Sequence, residues 1–301
     1  MDETPEKLGA AKWSIAVNIF ATAMKLSVAL YTGSLGILAE VIHSGFDLVA
    51  SLFAYWGIRK AGEPADDEHH YGHERFENLS SLAQSVLIAL TSFWILYEAY
   101  RKLTGEEHAV KESLAGIAVM LVSLVLATKV SDYLHKKSRE TGSPALEADA
   151  YHFTTDVMST LAVILGLGAT ALGFPVADVL AAVAVALIML YLSFRLGKKA
   201  VLVLLDEAPD DLTMEKVVGV LAEFPKIRGY HSLRGRVSGH KAIIDVSVHV
   251  APYLTIEEAH AVAEELEMKI VDDVPDVKEV EVHVEPETPH DTGRAVRTVF
   301  D

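Results

Sequence analysis

Six apolar stretches, each close to the length that crosses a lipid bilayer, fill the first two-thirds of this sequence, at about residues 13 to 33, 36 to 58, 77 to 100, 113 to 134, 147 to 172 and 176 to 197. A hydrocarbon core about 30 Å thick takes roughly 20 helical residues per crossing. Inside it every backbone N–H and C=O must be paired within the segment or a closed barrel. The stretches are therefore expected as six membrane helices. Their punctuation agrees: Thr32-Gly33-Ser34 parts the first two, Gly62-Glu63-Pro64 opens the loop before the third, and Gly173-Phe174-Pro175 parts the last two. A chain 51% hydrophobic and 23% charged suits a protein partly in lipid and partly in water. Residues Met1 to Lys12 lack the basic start of a signal peptide, so the first stretch is expected as a retained span.

After Leu205 the texture becomes that of a small water-exposed domain, expected over residues 206 to 290, with 291 to 301 as a tail. Met214, Val217, Val218 and Leu221 follow helical spacing. Ala242, Ile244, Val246, Val248 and Val250 alternate with a more polar set, as do Val280, Val282 and Val284. Between these runs, Ile256, Ala259, Ala263, Leu266 and Ile270 mark a second helix. With a strand near Tyr230 to Val237, the order is α-β-β-α-β, a ferredoxin-like α+β sheet with helices on one face.

Charge narrows the functions open to such a chain. Residues 206 to 301 hold 21 acidic and 10 basic side chains, a net of −11 within a total of −16, so nucleic acid is not an expected partner. With no cysteine, any metal must be held by His, Asp or Glu. Cations gather after the second span (Arg59, Lys60, Arg75), the fourth (Lys136, Lys137, Arg139) and the sixth (Arg195, Lys198, Lys199), which by the positive-inside rule sets these loops and both termini on the cytosolic side.

Two spans carry ionisable groups where lipid makes them costly. In the second, Glu40, His43 and Asp47 are spaced by three and four and share one helix face; in the fifth, Asp149, His152 and Asp156 repeat the pattern. A central Asp costs about 2.5 to 3.5 kcal/mol on insertion scales. Such residues are kept for a purpose. His43, Asp47, His152 and Asp156 would supply two nitrogens and two oxygens, a set that suits tetrahedral zinc. The plainer alternative is a hydrogen-bonded packing cluster or proton relay without metal.

The loop Asp66-Asp67-Glu68-His69-His70-Tyr71-Gly72-His73 sets acids beside His69 and His73, as a second ion site or merely as solvated polar sequence. In the C-terminal domain His231, His249, His260, His283 and Glu285 are candidates for further sites, against the plainer reading of scattered surface histidines. Asp178, three residues past Pro175, reads as a cap of the sixth span. No H-E-x-x-H pair supports an intramembrane metallohydrolase. A passive channel and a metal sensor stay open.

Together these pieces resemble the cation diffusion facilitator family over nearly the whole chain. The matching elements are Ala39-Glu40 with His43-Ser44 and Asp47, the loop Asp66 to His73 leading into Glu77, His152 with Asp156, Leu204 to Pro209, and Glu257-Glu258-Ala259-His260. The resemblance implies a homodimer of six-span protomers in the inner cell membrane, exporting zinc or a related divalent ion in exchange for protons. It implies His43, Asp47, His152 and Asp156 as the transport site, and Asp66, His69 and His73 as a loop site. His231, His260, His283 and Glu285 would form a site in the cytosolic domain. Arg75 and Asp206 fall where the family has a charge pair. One departure stands out: Ser247 falls where a His is common, with His249 two residues on.

Overall fold

The structure, a computed structural model, describes residues 3–32, 35–104, 114–171 and 174–287. The chain divides into two compact units between Val201 and Leu202. The first holds six long helices: α1 (Thr4–Thr32), α2 (Leu35–Ala61), α3 (Arg75–Leu103), α4 (Leu114–Thr141), α5 (Pro144–Ala171) and α6 (Pro175–Leu204), the last running a few residues past the division. Five of them are long and apolar enough to cross a membrane. The sixth, α5, matches them with 28 residues, but its first half carries Glu147, Asp149, His152 and Asp156.

All six helices are longer than the expected spans. The 29 residues of α1 reach about 44 Å at 1.5 Å per residue, well beyond a 30 Å hydrocarbon core. In two of them the surplus is largely polar: α1 begins with Thr4-Pro5-Glu6-Lys7 and α4 ends with Lys136-Lys137-Ser138-Arg139-Glu140-Thr141. A helix continues into water as long as its neighbours supply contacts, so hydropathy marks the lipid-facing part and not the helix ends.

Within this unit α1 packs on α2 and α4, α2 on α3 and α5, and α5 on α4 and α3. Small residues line the seams: Ala10, Ala11, Ala145 and Ala150 sit with Ile58, Leu134, Leu146 and Phe153 in one buried cluster. Where association gains nothing from expelling water, such close backbone approach is what holds helices together. Ile88 on α3 meets Met189 and Leu196 on α6, and Ser193 Oγ donates to the Ser85 carbonyl at 2.7 Å. Large apolar side chains such as Phe20, Leu30, Leu90, Phe93, Leu187 and Phe194 face outward, as lipid contact requires.

The second unit is α7 (Asp211–Glu223), β1 (Gly229–Ser238), β2 (Lys241–Val250), α8 (Ile256–Asp273) and β3 (Val277–Pro286), the α-β-β-α-β order expected. Strand order is β1-β2-β3, with β1/β2 antiparallel and β2/β3 parallel, the latter joined through α8. Met214, Val217 and Leu221 of α7 and Leu266 and Ile270 of α8 bury against Ile244, Val246 and Val248 of β2. Asp210 caps α7 by accepting the Thr213 N–H at 3.0 Å, and Thr255 with Glu258 forms a capping box on α8. The expected tail, 291 to 301, lies outside the described residues.

Candidate metal centres

Between α2 and α5 the structure brings four of the predicted ligands together. His43 Nε2 lies 3.8 Å from Asp47 Oδ1 and 3.8 Å from Asp156 Oδ1. His152 Nε2 lies 3.1 Å from Asp47 Oδ1. One donor atom each from His43, Asp47 and Asp156 falls within a 4.8 Å span. Ligands about 2.0 to 2.1 Å from a tetrahedral ion stand roughly 3.3 to 3.4 Å apart, and the observed separations bracket that value. Asp47 and His152 are buried, while His43 and Asp156 keep partial exposure. His152 Nδ1 is buried with no hydrogen-bond partner, so its Nε2 face toward Asp47 is the one that is held.

Asp149, the other acid of the α5 stripe, does not join this cluster. It is fully buried and accepts from Ser51 Oγ at 2.9 Å. Ser51 in turn pairs with Ser14 at 2.7 Å and accepts from Asn18 Nδ2 at 2.8 Å. The same Asn18 amide reaches the Asp47 carbonyl at 3.3 Å. The two stripes are thus unlike: Asp149 ties α5 to α1 and α2, whereas His152 and Asp156 face the cluster. The side chain of Glu40 lies outside the described residues.

In the loop between α2 and α3, Asp66, His69 and His73 form a second group. Asp66 Oδ1 accepts the N–H of His69 at 2.7 Å and of Glu68 at 2.9 Å, closing a tight turn. The His69 N–H, with that of Glu68 adding to it, holds the Asp66 carboxyl below the usual carboxylate range, so it is ionised at neutral pH. His73 is buried and its Nδ1 stands 3.0 Å from the Pro64 carbonyl. Donation there leaves Nε2 as the free nitrogen, 3.2 Å from Asp66 Oδ2. His73 Nε2 and His69 Nδ1 are both buried without hydrogen-bond partners. Two orphaned nitrogens beside an ionised carboxylate fit a divalent ion. Gly72, at φ +89°, lets the chain double back between the histidines.

In the second unit the five candidates separate. His231 Nε2 is 3.3 Å and His249 Nε2 3.7 Å from the same oxygen, Glu285 Oε2. The strand ladder pairs His249 with Glu285 across β2 and β3. His231 reaches them because β1 bulges between His231 and Arg234, with Ser232 at φ 53°. His283 stands at the margin, 3.5 Å from Glu285 Oε1, and shares a cavity of about 320 Å³ with Ser247, Arg234 and Asp245. His260 is not part of the group: it lies on the outer side of α8, 70% exposed, beside Glu264 at 3.4 Å. Of the five candidates, His231, His249 and Glu285 are thus brought together, with His283 at the edge and His260 apart, because the bulge and the His249 register favour that trio.

Other readings also change. Asp178 does not act as a simple cap: its Oδ2 pairs with Lys102 Nζ at 2.8 Å and ties α6 to α3. Sequence reasoning misses Lys25, which is buried in α1 and donates to Ser44 Oγ at 2.8 Å. The available signal is a lone lysine inside an apolar run. It also misses the buried pair of Lys7 with Glu77 at 3.1 Å, which joins the start of α1 to the start of α3.

A helical unit with membrane-length apolar helices and a buried His/Asp cluster, joined to an acidic α+β unit, is an arrangement a membrane transporter of divalent cations would have. The comparisons state the family. Residues 11–205 match the cation efflux transmembrane domain and residues 209–287 the cation efflux protein cytoplasmic domain. The chain is 33% identical over 294 residues to the cation-efflux pump FieF of Citrobacter koseri, covering 95% of each chain. It is 34% identical over 281 residues to that of Klebsiella pneumoniae, covering 91% of each. A solved MamM CTD aligns with 26% of this chain and 100% of its own, at 22% identity and a TM-score of 0.25. The chain belongs to the cation efflux family, the cation diffusion facilitators, and is an integral membrane exporter of divalent metal cations.

Proposed function

We propose that the protein exports Zn²⁺ from the cytosol in exchange for protons, with His43, Asp47, His152 and Asp156 as the transport site. The observation that carries this reading is that His43, Asp47 and Asp156 each bring a donor atom within 4.8 Å of one another between α2 and α5, with His152 Nε2 3.1 Å from Asp47 Oδ1. Two imidazole nitrogens favour a borderline ion such as Zn²⁺ over the harder Mn²⁺, which prefers oxygen alone. Exporting a dication against an inside-negative potential costs about 2.3 kcal/mol per charge per 100 mV. Protons are the counter-ion because each imidazole binds either a proton or the metal at its ligating nitrogen, so the two compete at one atom. The protein sits in the inner cell membrane as a homodimer, with both termini in the cytosol, where Arg59, Lys60, Lys136, Lys137 and Lys198 place positive charge.

The test is metal flux in proteoliposomes carrying an internal pH dye. Zn²⁺ uptake into inside-acid vesicles should be accompanied by proton release, with Zn²⁺ or Cd²⁺ well ahead of Mn²⁺. Metal entry with no pH response would refute exchange, and faster Mn²⁺ than Zn²⁺ flux would refute the zinc assignment.

Asp66, His69 and His73 form an auxiliary cytosolic site in this reading, and His231, His249 and Glu285 a regulatory one. The second unit's net charge of −11 repels another copy, and bound dications lower that repulsion. Because this unit has its own core, it can be examined alone. Zinc should draw two copies of the 206–290 domain together and shrink the scattering radius per copy, an effect lost in His231→Ala/His249→Ala. Identical scattering profiles with zinc and with chelator would rule the regulatory site out.

A further inference from the structure

Four residues outside the ligand set form one buried hydrogen-bonded group beside it. Ser14 and Asn18 of α1, Ser51 of α2 and Asp149 of α5 are each no more than 6% exposed. Ser51 Oγ donates to Asp149 Oδ1 at 2.9 Å, which leaves its two lone pairs to accept. Asn18 Nδ2 stands 2.8 Å from it and Ser14 Oγ 2.7 Å, so the hydroxyl makes every bond open to it. Asp149 does not: its Oδ2 is buried with no hydrogen-bond partner among the described residues. An acid held in this way is costly within a helical membrane unit and is kept for more than filling space.

Helix geometry says what the group holds. Ser51 follows Asp47 by one turn of α2, and Asp149 precedes His152 by one turn of α5. The contacts His152–Asp47 at 3.1 Å and Ser51–Asp149 at 2.9 Å are thus successive rungs between the same two helices, roughly 4.5 to 6 Å apart along them. The first rung is made by ligands and must open when an ion takes its place. The second contains no ligand and can stay closed. Asn18 joins the two, since its amide also reaches the backbone carbonyl of Asp47 at 3.3 Å.

Resting on the reading of the His/Asp cluster as the transport site, we propose that Ser51 and Asp149 are positioning residues that set its ion selectivity, by fixing the spacing of α2 and α5 while the ligand rung opens. Each helix supplies two ligands, His43 and Asp47 from one and His152 and Asp156 from the other, so the spacing of the helices sets the size of ion that fits. A larger ion of the same charge must then take bonds of the wrong length or part the helices against the closed rung. Among ions that accept the same ligands, discrimination rests on the size of the cavity and on how rigidly it is held. A site already held at the right spacing also binds its own ion with less ordering cost.

The probes are Zn²⁺ and Cd²⁺, which carry the same charge and accept the same ligands but differ in size. Full-length protein in proteoliposomes gives KM and Vmax for each at one fixed pH. Ser51→Ala removes the donor of the rung, and Asp149→Asn keeps the acceptor. Ser51→Ala/Asp149→Leu removes both partners and leaves no buried carboxylate behind, so it gives the answer even where the single variant fails to fold. Both variants without the rung should raise the KM for Zn²⁺ far more than that for Cd²⁺. The ratio of their Vmax/KM values should move toward Cd²⁺ by about tenfold, the low end of what residues around a metal's ligands contribute. Asp149→Asn should hold the wild-type ratio. A wild-type ratio in the double variant overturns the proposal even when the flux of both ions falls, since an equal loss is what a packing role would give. Asp149→Asn shifting the ratio as far as the double variant does would overturn it too, by making the charge and not the bond responsible. Asp47→Ala in the same assay separates the two readings. Its inactivity beside an unshifted double variant removes only the rung, whereas wild-type flux in Asp47→Ala removes the transport site itself.

Discussion

Asp47→Ala and Asp156→Ala will each abolish zinc transport while the protein still inserts and purifies. Asp47 is the hub of the cluster, since both His43 and His152 approach its Oδ1, at 3.8 and 3.1 Å. Replacing it removes one ligand and leaves the His152 imidazole buried without an acceptor on that side. Outer-shell residues around a metal typically cost 10- to 100-fold in affinity or activity when replaced. A ligand should exceed that, so flux is expected to fall by more than about 100-fold. Asp149→Asn offers the contrast. It lies in the same helix stripe, yet its carboxylate meets Ser51 and not the cluster, and the amide can still accept that bond. Its flux should fall far less than that of Asp156→Ala. Proteoliposome uptake, with protein normalised by size-exclusion profile, checks both. Equal losses in all three variants would indicate a packing role for the whole stripe.

The second large effect concerns pH. His152 Nε2 and Asp47 Oδ1 stand 3.1 Å apart, within reach of a shared proton, and zinc needs the nitrogen lone pair that such a proton would occupy. Binding therefore expels it. Each proton displaced changes the apparent affinity tenfold per pH unit, weaker at lower pH, because metal and proton are linked through the same atom. Wild-type affinity should accordingly fall as the pH is lowered. His43→Asn/His152→Asn should bind zinc more weakly and also lose that dependence over about pH 5.5 to 7.5, the interval around the reference imidazole value. Affinity can be measured by calorimetry in a background lacking the loop and second-unit sites. A double variant retaining the wild-type slope would move the exchanged protons elsewhere, with Asp149 the next group to replace.

The architecture was legible because lipid and sheet periodicity both leave strong marks. Runs such as Val176 to Leu192 admit little besides a membrane helix, and Ile244, Val246 and Val248 alternate because β2 buries a single face. The two ionisable stripes were legible for the same reason, as charge in lipid stands out. Less visible was anything depending on which helix faces which. Asp149 shares its stripe with His152, but Ser51 of α2, itself held by Ser14 and Asn18 of α1, donates to it and claims it. Lys25 was present as a costly residue, yet a single charged position has no spacing to reveal which helix it meets. In the second unit a single extra residue in β1 decides whether His231 reaches Glu285, and a bulge of that kind has no period. Helix ends were underestimated because α1 and α4 continue as polar helix beyond the lipid.

The most direct measurement is zinc K-edge X-ray absorption on the full-length protein with the other centres removed by Asp66→Ala, His69→Ala, His231→Ala and His249→Ala. The account predicts one bound zinc per protomer, four-coordinate, with two imidazole nitrogens and two carboxylate oxygens at about 2.0 to 2.2 Å, and no zinc retained when Asp47→Ala is added. A spectrum dominated by oxygen alone, or one unchanged by Asp47→Ala, would contradict a His43–Asp47–His152–Asp156 transport site.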